Sequence, residues 1–245
     1  MDKELDELQA WLKAASSFEL PPYNELPNVP LYMEQVIEYI NKTLKALNPS
    51  EKDILTSFMV QRYLELYPDT VDRVILCGTN GGNGAQMRMA YNLAKLTCTK
   101  KNWDEPDKFL TNAGLGGYAK AVKNRKTDLD WLSFNEDNVN KYIADPYCGH
   151  MDTHGFWKEF LKGMVALNSK KGIKKISPKE KVLIIAGQYD PVGNNGKGPT
   201  YMANLYKKIG MKDVTLVIYP NMRHEIHNEK EHMKVYEQIS EFLNK

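Results

Sequence analysis

The chain has 245 residues, of which 42% are hydrophobic and 26% charged, so it is long enough to bury one substantial core. Its 33 basic and 31 acidic residues nearly balance, which leaves no strong field to hold nucleic acid or an anionic membrane surface. The three cysteines stand far apart with no C-x-x-C pair, which predicts reduced thiols in a cytoplasmic protein. We expect no cofactor and no metal.

The first 50 residues predict a helical segment. Apolar residues recur at helical spacing over residues 3–15 and again over 32–47, and a proline-rich connector separates the two. The basic region, apolar core and cleavage site of a signal peptide are missing, and no apolar run in the chain is long enough to span a bilayer. We therefore expect residues 1–50 to form a helical segment, followed by a main domain over 51–245.

Strands and helices alternate from residue 57 onwards. Short apolar runs with few charges predict three buried strands, VDRVILCG (71–78), KVLIIAG (181–187) and VTLVIYP (214–220). Helical periodicity predicts helices over 57–68, 200–209 and 229–243. This alternation is typical of an α/β fold with a mostly parallel sheet covered on both faces, because parallel neighbours need a crossover connection.

A long insertion, residues 78–178, separates the first of these strands from the other two. It has helical periodicity and is rich in aromatic side chains. In an α/β protein such an insertion is expected to form a helical cap over the carboxyl ends of the strands, where open parallel sheets bind their ligands.

Two residues that could carry chemistry follow the last two strands. Asp190 comes after KVLIIAG in the turn-forming segment GQYDPVGNNGKG, and His224 comes after VTLVIYP in YPNMRHEIHNE. An aspartate and then a histidine at the ends of consecutive strands suit a carboxylate that orients an imidazole acting as general base. Either residue alone would more often be structural, but the pair with these flanks is far more specific.

The segments GQYDPVGNNGKG, MKDVTLVIYPNMRHEIHNE and DLDWLSFNEDNVNKYIADPYCGH resemble the monoacylglycerol lipase and lysophospholipase branch of the α/β-hydrolases, which is serine aminopeptidase S33-like. The resemblance extends from Ser57 to Lys245. It implies a serine hydrolase ancestry with lipid-like carboxylic esters as substrates. It also implies Asp190 as the catalytic acid, His224 as the base and residues 78–178 as a lid.

The sequence departs from this family just before the helix at 57–68. The family needs a strand, then G-x-S-x-G, then a helix, because the glycines permit the strained turn that exposes the serine. No G-x-S-x-G occurs in the chain, which reads NPSEKDILTSFMV at this point. Aligned without gaps, the nucleophile position falls at Ile54. With a short deletion, DIL becomes the strand, and Thr56 and Ser57 stand where the elbow should be.

The family's first strands are also missing from the predicted elements, together with the loop that supplies one N–H of the oxyanion hole. We therefore expect a partial, truncated α/β-hydrolase fold with a reduced number of strands. A sheet that lacks the strands on one side of its centre has an exposed edge strand, whose unpaired backbone groups must be covered or paired. We expect either the N-terminal helices to cover it or two chains to form a homodimer through it.

Three other motifs favour no further site. CGTNGGNGAQ lacks the third glycine of a dinucleotide fingerprint, and GNNGKGPT is better explained as a turn that caps the helix after it than as a phosphate loop. His150, Asp152 and His154 form an H-x-D-x-H string that could bind a metal ion. In an aromatic-rich cap, a solvated or hydrogen-bonded role is the stronger interpretation.

The sequence thus favours a protein of lipase and lysophospholipase ancestry that keeps acid, base and lid but lacks standard serine-triad activity. Its apolar cavity would still bind an acyl or other lipid-like ligand. One alternative is an active hydrolase in which Ser57 or a residue of a partner chain is the nucleophile. Another is a non-catalytic protein that dimerises or binds a ligand.

Overall fold

The computed structural model describes residues 53–55, 58–145, 148–149 and 151–244. Within these ranges lie four strands, β1 (Asp53–Leu55), β2 (Arg73–Cys77), β3 (Lys181–Gly187) and β4 (Val214–Tyr219). The same ranges contain eight α-helices, α1 (Phe58–Leu66), α2 (Gly84–Thr97), α3 (Lys108–Ala121), α4 (Glu136–Ala144), α5 (His154–Ala166), α6 (Lys170–Ile173), α7 (Lys197–Lys208) and α8 (Met233–Leu243). The two predicted N-terminal helices lie outside the described residues.

The four strands form one parallel sheet in the order β1-β2-β3-β4. The register pairs Ile54 with Val74, Ile75 with Leu183 and Ile184 with Leu216. The predicted α/β class and the three predicted strands are confirmed. The additional strand at Asp53–Leu55 agrees with the alignment that assumes a short deletion, in which DIL forms the strand.

Both faces of the sheet are buried, which explains why its central strands read as continuous apolar runs. Alternate side chains of β2 and β3 point to opposite faces. One face packs against α1 and α7 through the buried residues Val60, Leu64, Met202 and Tyr206. The other face packs against α8 through Val235, Ile239 and Phe242.

Two predicted helix boundaries were wrong. The helix expected over 200–209 begins at Lys197, directly after Asn194, Asn195 and Gly196, which all have positive φ angles of 50° to 85°. These left-handed residues turn the chain into the helix, as the interpretation of GNNGKGPT as a capping turn predicted. The helix expected from residue 229 begins only at Met233, because Glu229 is buried in a loop.

The insertion is helical, as predicted, and contains α2 to α6. Helix α2 packs against α5 in a separate apolar cluster that includes Ala94, Leu110, Trp157 and Leu161. The boundaries of the insertion and of the N-terminal segment stay predictions. Among the described residues, no helix is long and apolar enough to cross a membrane.

Glu180 lies just before β3, is 2% exposed and makes the stability of the fold depend on pH. Burial, with a contribution from the nearby Asp69 carboxylate, raises the pKa of its carboxyl from 4.5 to about 7. The folded protein therefore holds a proton that the unfolded chain releases between these two pH values, so stability falls as pH rises through this window.

Replacing Glu180 with glutamine should remove this loss, because the amide resembles the protonated acid. We expect Glu180→Gln to be more stable than the wild type by about 1–2 kcal/mol at pH 8, or roughly 4 °C in Tm, and nearly equal at pH 5. Thermal unfolding at several pH values measures this difference. A difference in Tm that does not change with pH would contradict the assignment.

Candidate active site

The carboxyl ends of three neighbouring strands bring together the residues of the candidate site. Gly78 follows β2, Asp190 lies three residues after the end of β3, and His224 lies five residues after the end of β4. Parallel strands end at the same edge of the sheet, so these positions meet above it. The structure therefore brings the two predicted site residues together.

Asp190 and His224 form a hydrogen-bonded pair. Nδ1 of His224 lies 3.0 Å from Oδ2 of Asp190, whose side chain is fully buried. The other carboxylate oxygen, Oδ1, accepts a hydrogen bond of 2.8 Å from the backbone N–H of Val192. A buried carboxylate held in this way favours the imidazole tautomer with its proton on Nδ1, which leaves Nε2 free to accept a proton.

The loop that carries His224 lies directly against the ends of two strands, and two glycines allow this. A Cβ atom at Gly187 would lie 2.1 Å from the carbonyl oxygen of Arg223 and 2.4 Å from that of Met222. A Cβ at Gly78, which has a φ of +60°, would lie 2.9 Å from Cε1 of His224. The imidazole position therefore depends on main chain that approaches closely at both glycines.

Two aromatic residues of the insertion complete the surroundings of the imidazole. The ring centroid of Trp131 lies 5.4 Å from that of His224, and the ring of Tyr118 lies 5.2 Å from that of Trp131. Burial and the negative charge of Asp190 raise the pKa of the Tyr118 hydroxyl. Tyr118 therefore keeps its proton at neutral pH and can donate a hydrogen bond to a ligand.

His224 lines an apolar cavity of about 690 Å³. The cavity lies between the carboxyl ends of the strands and helices α2, α3 and α5 of the insertion. Three of its polar residues, Asn80, Asn83 and Gln86, lie close together in sequence between the end of β2 and the first turn of α2. Most of the remaining wall is apolar, formed by residues that include Met87, Ala90, Leu93, Phe109, Leu110, Phe156, Trp157, Phe160 and Met164.

Cys77 is the last residue of β2, and its thiol is close enough to the pair for the charge of Asp190 to affect it. Burial raises the pKa of its thiol to about 12, with further contributions from Asp190 and Glu225. The thiol is thus protonated at neutral pH. A cysteine nucleophile needs the thiolate form, so Cys77 is not suited to that role.

Ser57, the candidate displaced nucleophile, lies outside the described residues. Strand β1 ends at Leu55 and α1 begins at Phe58, so Thr56 and Ser57 are the two residues between them. Phe58, the first residue of α1, lines the cavity together with His224. Within the part of the chain that the structure describes, the His224 ring hydrogen-bonds only to Asp190.

The described residues contain no group of three or more His, Cys, Asp and Glu side chains that could hold a metal ion, and they include Asp152 and His154 of the H-x-D-x-H string. His154 lies with Nδ1 2.8 Å from Oδ2 of Asp107, the residue that caps the start of α3. Asp152 lines the cavity, and burial raises the pKa of its carboxyl. His150 lies outside the described residues.

Sequence reasoning missed the residues that hold the pair in place. Gly78 directly follows β2 and Gly187 is the last residue of β3, and this position at a strand end is the local signal that could have identified them. Trp131 was visible only as one of many aromatic residues in the insertion. Its contact with His224 joins segments more than 90 positions apart and leaves no trace in a single sequence.

The sequence model of the family described as serine aminopeptidase, S33, matches residues 9–231. A thermostable carboxyl esterase from Bacillus coagulans is similar in structure, with a TM-score of 0.70 and 25% identity over 78% of this chain. The chain spans 64% of the length of that esterase. Comparison with curated proteins gave no match.

Two lipases share the fold at lower sequence identity. The monoacylglycerol lipase of Paleococcus ferrophilus matches with a TM-score of 0.58 and 20% identity, over 86% of this chain and 74% of the lipase. A soluble variant of the monoglyceride lipase of Saccharomyces cerevisiae matches with a TM-score of 0.58 and 15% identity, over 86% of this chain and 68% of the lipase.

Proposed function

Because the chain belongs to the serine aminopeptidase S33 family of α/β-hydrolases, we propose that it hydrolyses carboxylic esters with apolar, lipid-like acyl chains. The observation that carries this proposal is the hydrogen-bonded pair of Asp190 and His224 at the wall of an apolar cavity. An acid-base pair supplies the proton transfers of ester hydrolysis, and the cavity supplies a place for the acyl chain.

In this reaction His224 acts as the general base. Its Nε2 takes the proton of the attacking hydroxyl and then delivers it to the leaving alcohol. Asp190 holds the imidazole in the required tautomer and stabilises the imidazolium that forms. The attacking hydroxyl belongs to Ser57, to a partner chain or to water, and the alternatives are separated by experiment below.

The distribution of polar and apolar side chains along the cavity supports the choice of substrate. The amides of Asn80, Asn83 and Gln86 can hydrogen-bond to the polar part of an ester. The aromatic and aliphatic side chains of α2, α3 and α5 remove an alkyl chain from water, which contributes about 0.8 kcal/mol per buried methylene.

Filling the apolar part of the cavity tests the proposal. Ala90 lies on α2 and lines the cavity beside Trp157. We expect Ala90→Phe to lower kcat/KM for p-nitrophenyl laurate by roughly tenfold or more. The added ring takes the space of a few methylenes of the acyl chain, and each methylene contributes about 1 kcal/mol or more to binding. The rate for p-nitrophenyl acetate should change little, since a two-carbon acyl group does not reach this wall.

The matched control is Ala85→Phe, which makes the same change on the same helix at an exposed residue outside the cavity lining. It should affect neither ester. Absence of hydrolysis of every ester by the wild-type protein would overturn the proposed activity. Equal losses on both esters would instead overturn the assignment of the cavity to the acyl chain.

A second candidate function is ligand binding without catalysis. The absence of G-x-S-x-G from the sequence favours it, because the family places its nucleophile in that turn. This candidate predicts that a fluorescent fatty acid binds to the wild type and binds more weakly to Ala90→Phe, while no ester is hydrolysed. Homodimerisation through a sheet edge stays a prediction that light scattering can test.

A further inference from the structure

Glu229 is a buried carboxylate without a place in the reaction described above. It is 2% exposed and lies in the loop between the His224 segment and α8. Oε1 accepts a hydrogen bond of 2.8 Å from the backbone N–H of Arg223, the residue before His224. Oε1 and Oε2 each lie 3.0 Å from the backbone N of Phe134, which belongs to the insertion.

The carboxylate thus joins two segments that are distant in sequence. One is the histidine loop, residues 222–229, and the other is the insertion loop, residues 130–135. Hydrogen bonds from backbone N–H groups to a charged carboxylate are stronger than those to a neutral acceptor. Burial makes them costly to lose, because removing the acceptor leaves two N–H donors without a partner in a place that water reaches poorly.

Further contacts join the histidine loop to the insertion loop. The N–H of Glu225 donates to the carbonyl of Leu132 over 2.7 Å. The backbone N–H groups on both sides of His224 are therefore tied to the insertion loop, that of Glu225 directly and that of Arg223 through Glu229. The Arg223 guanidinium lies 3.9 Å from the ring centroid of Phe134. Its Nη1 donates to the carbonyl of Ser133 over 3.2 Å.

The insertion loop also carries Trp131, whose ring contacts the imidazole of His224. From these contacts we infer that Glu229 is a positioning residue for His224. It fixes the backbone N–H of Arg223 and the insertion loop in one place, and so sets the distance from Nδ1 of His224 to Asp190. Glu229 can position His224 whether or not the protein hydrolyses esters, whereas a contribution of Glu229 to catalysis rests on the proposed function.

The test follows the hydrogen bond between Asp190 and His224 rather than the rate alone. In the wild type the proton on Nδ1 of His224 should give a downfield NMR signal, assigned by its absence from His224→Ala. In Glu229→Ala we expect this signal to be lost through exchange with water at temperatures well below the Tm. A purely structural role for Glu229 would lower the Tm and leave the signal in place.

Three further variants complete the test, the third of them as a replacement for an alanine variant that does not fold. Glu229→Gln keeps a carbonyl oxygen that can occupy the position of Oε1 and accept both N–H groups, so it should retain the signal. Glu237→Ala removes an exposed glutamate of α8 and is the matched control. If Glu229→Ala does not fold, Glu229→Asp replaces it, because the shorter carboxylate cannot reach both donors and should also lose the signal.

Retention of the signal in Glu229→Ala, or in a folded Glu229→Asp, would overturn the inference. If esters are hydrolysed, kcat for the alanine variant should fall about tenfold or more and be restored in Glu229→Gln, with KM nearly unchanged. If no protein hydrolyses any ester while the NMR signal responds as expected, the proposed function fails and the positioning role stands.

Discussion

Replacing His224 with alanine is expected to lower kcat/KM for ester hydrolysis by about 100- to 10,000-fold, the usual contribution of a positioned general base. The variant loses the group that accepts the proton, while the cavity and the sheet stay intact. Its Tm should change by only a few degrees, because the ring is partly exposed and its only hydrogen bond among the described residues is the one to Asp190.

His227→Ala is the matched control, since His227 lies three residues further on in the same loop and is exposed. It should hydrolyse the same ester at close to the wild-type rate. A His224→Ala protein with an undiminished rate would show that the pair with Asp190 does not carry the reaction.

Ser57→Ala, measured in the same assay, identifies the source of the attacking hydroxyl. A loss as large as that in His224→Ala would assign the nucleophile to Ser57. An unchanged rate in Ser57→Ala beside a large loss in His224→Ala would leave water or a partner chain. Dilution of the protein then separates these two, because only a nucleophile from a partner makes the specific activity fall at low concentration.

Replacing Gly187 with alanine is expected to cause the largest loss of stability. The added Cβ would meet two backbone carbonyl oxygens of the histidine loop, at Met222 and Arg223, and main chain cannot rotate away as a side chain can. We expect the free energy of unfolding to fall by about 3 kcal/mol, which corresponds to roughly 6–12 °C in Tm for a chain of this size. Thermal unfolding measures this change.

The control is Gly163→Ala, which makes the same change in helix α5. Gly163 is exposed, and its added Cβ would meet nothing within 4 Å. Alanine favours a helix over glycine by up to about 1 kcal/mol, so this variant should be slightly more stable than the wild type. A Gly187→Ala protein as stable as Gly163→Ala would mean that the histidine loop does not lie against β3 as described.

The elements that sequence predicted best are those with a strong local signal. The run KVLIIAG predicted β3 residue for residue, because a strand buried on both faces has apolar side chains at nearly every position. Asp190 and His224 could be predicted because the order of strands in a parallel sheet determines which loops share an edge. The 3.0 Å contact between them agrees with that topology.

The parts that could not be predicted depend on contacts between distant segments. Glutamate is common in the first turn of a helix, and the helical periodicity over 229–243 predicted that a helix begins at Glu229. Its carboxylate instead binds the N–H of Phe134, 95 positions away, and this tertiary contact outweighs local propensity. The cavity was predictable only as an aromatic-rich insertion, because its volume depends on how α2, α3 and α5 pack together.

The glycines at the ends of β2 and β3 separate the position of the acid-base pair from the choice of ligand, so evolution can change the two independently. Because the imidazole lies against main chain at Gly78 and its loop lies against main chain at Gly187, its position owes little to the wall side chains of α2 and α5. Substitutions at wall positions such as Phe160 can therefore alter which ligands fit without displacing the acid-base pair. New ligand preferences can arise on this scaffold by exchanging wall residues one at a time.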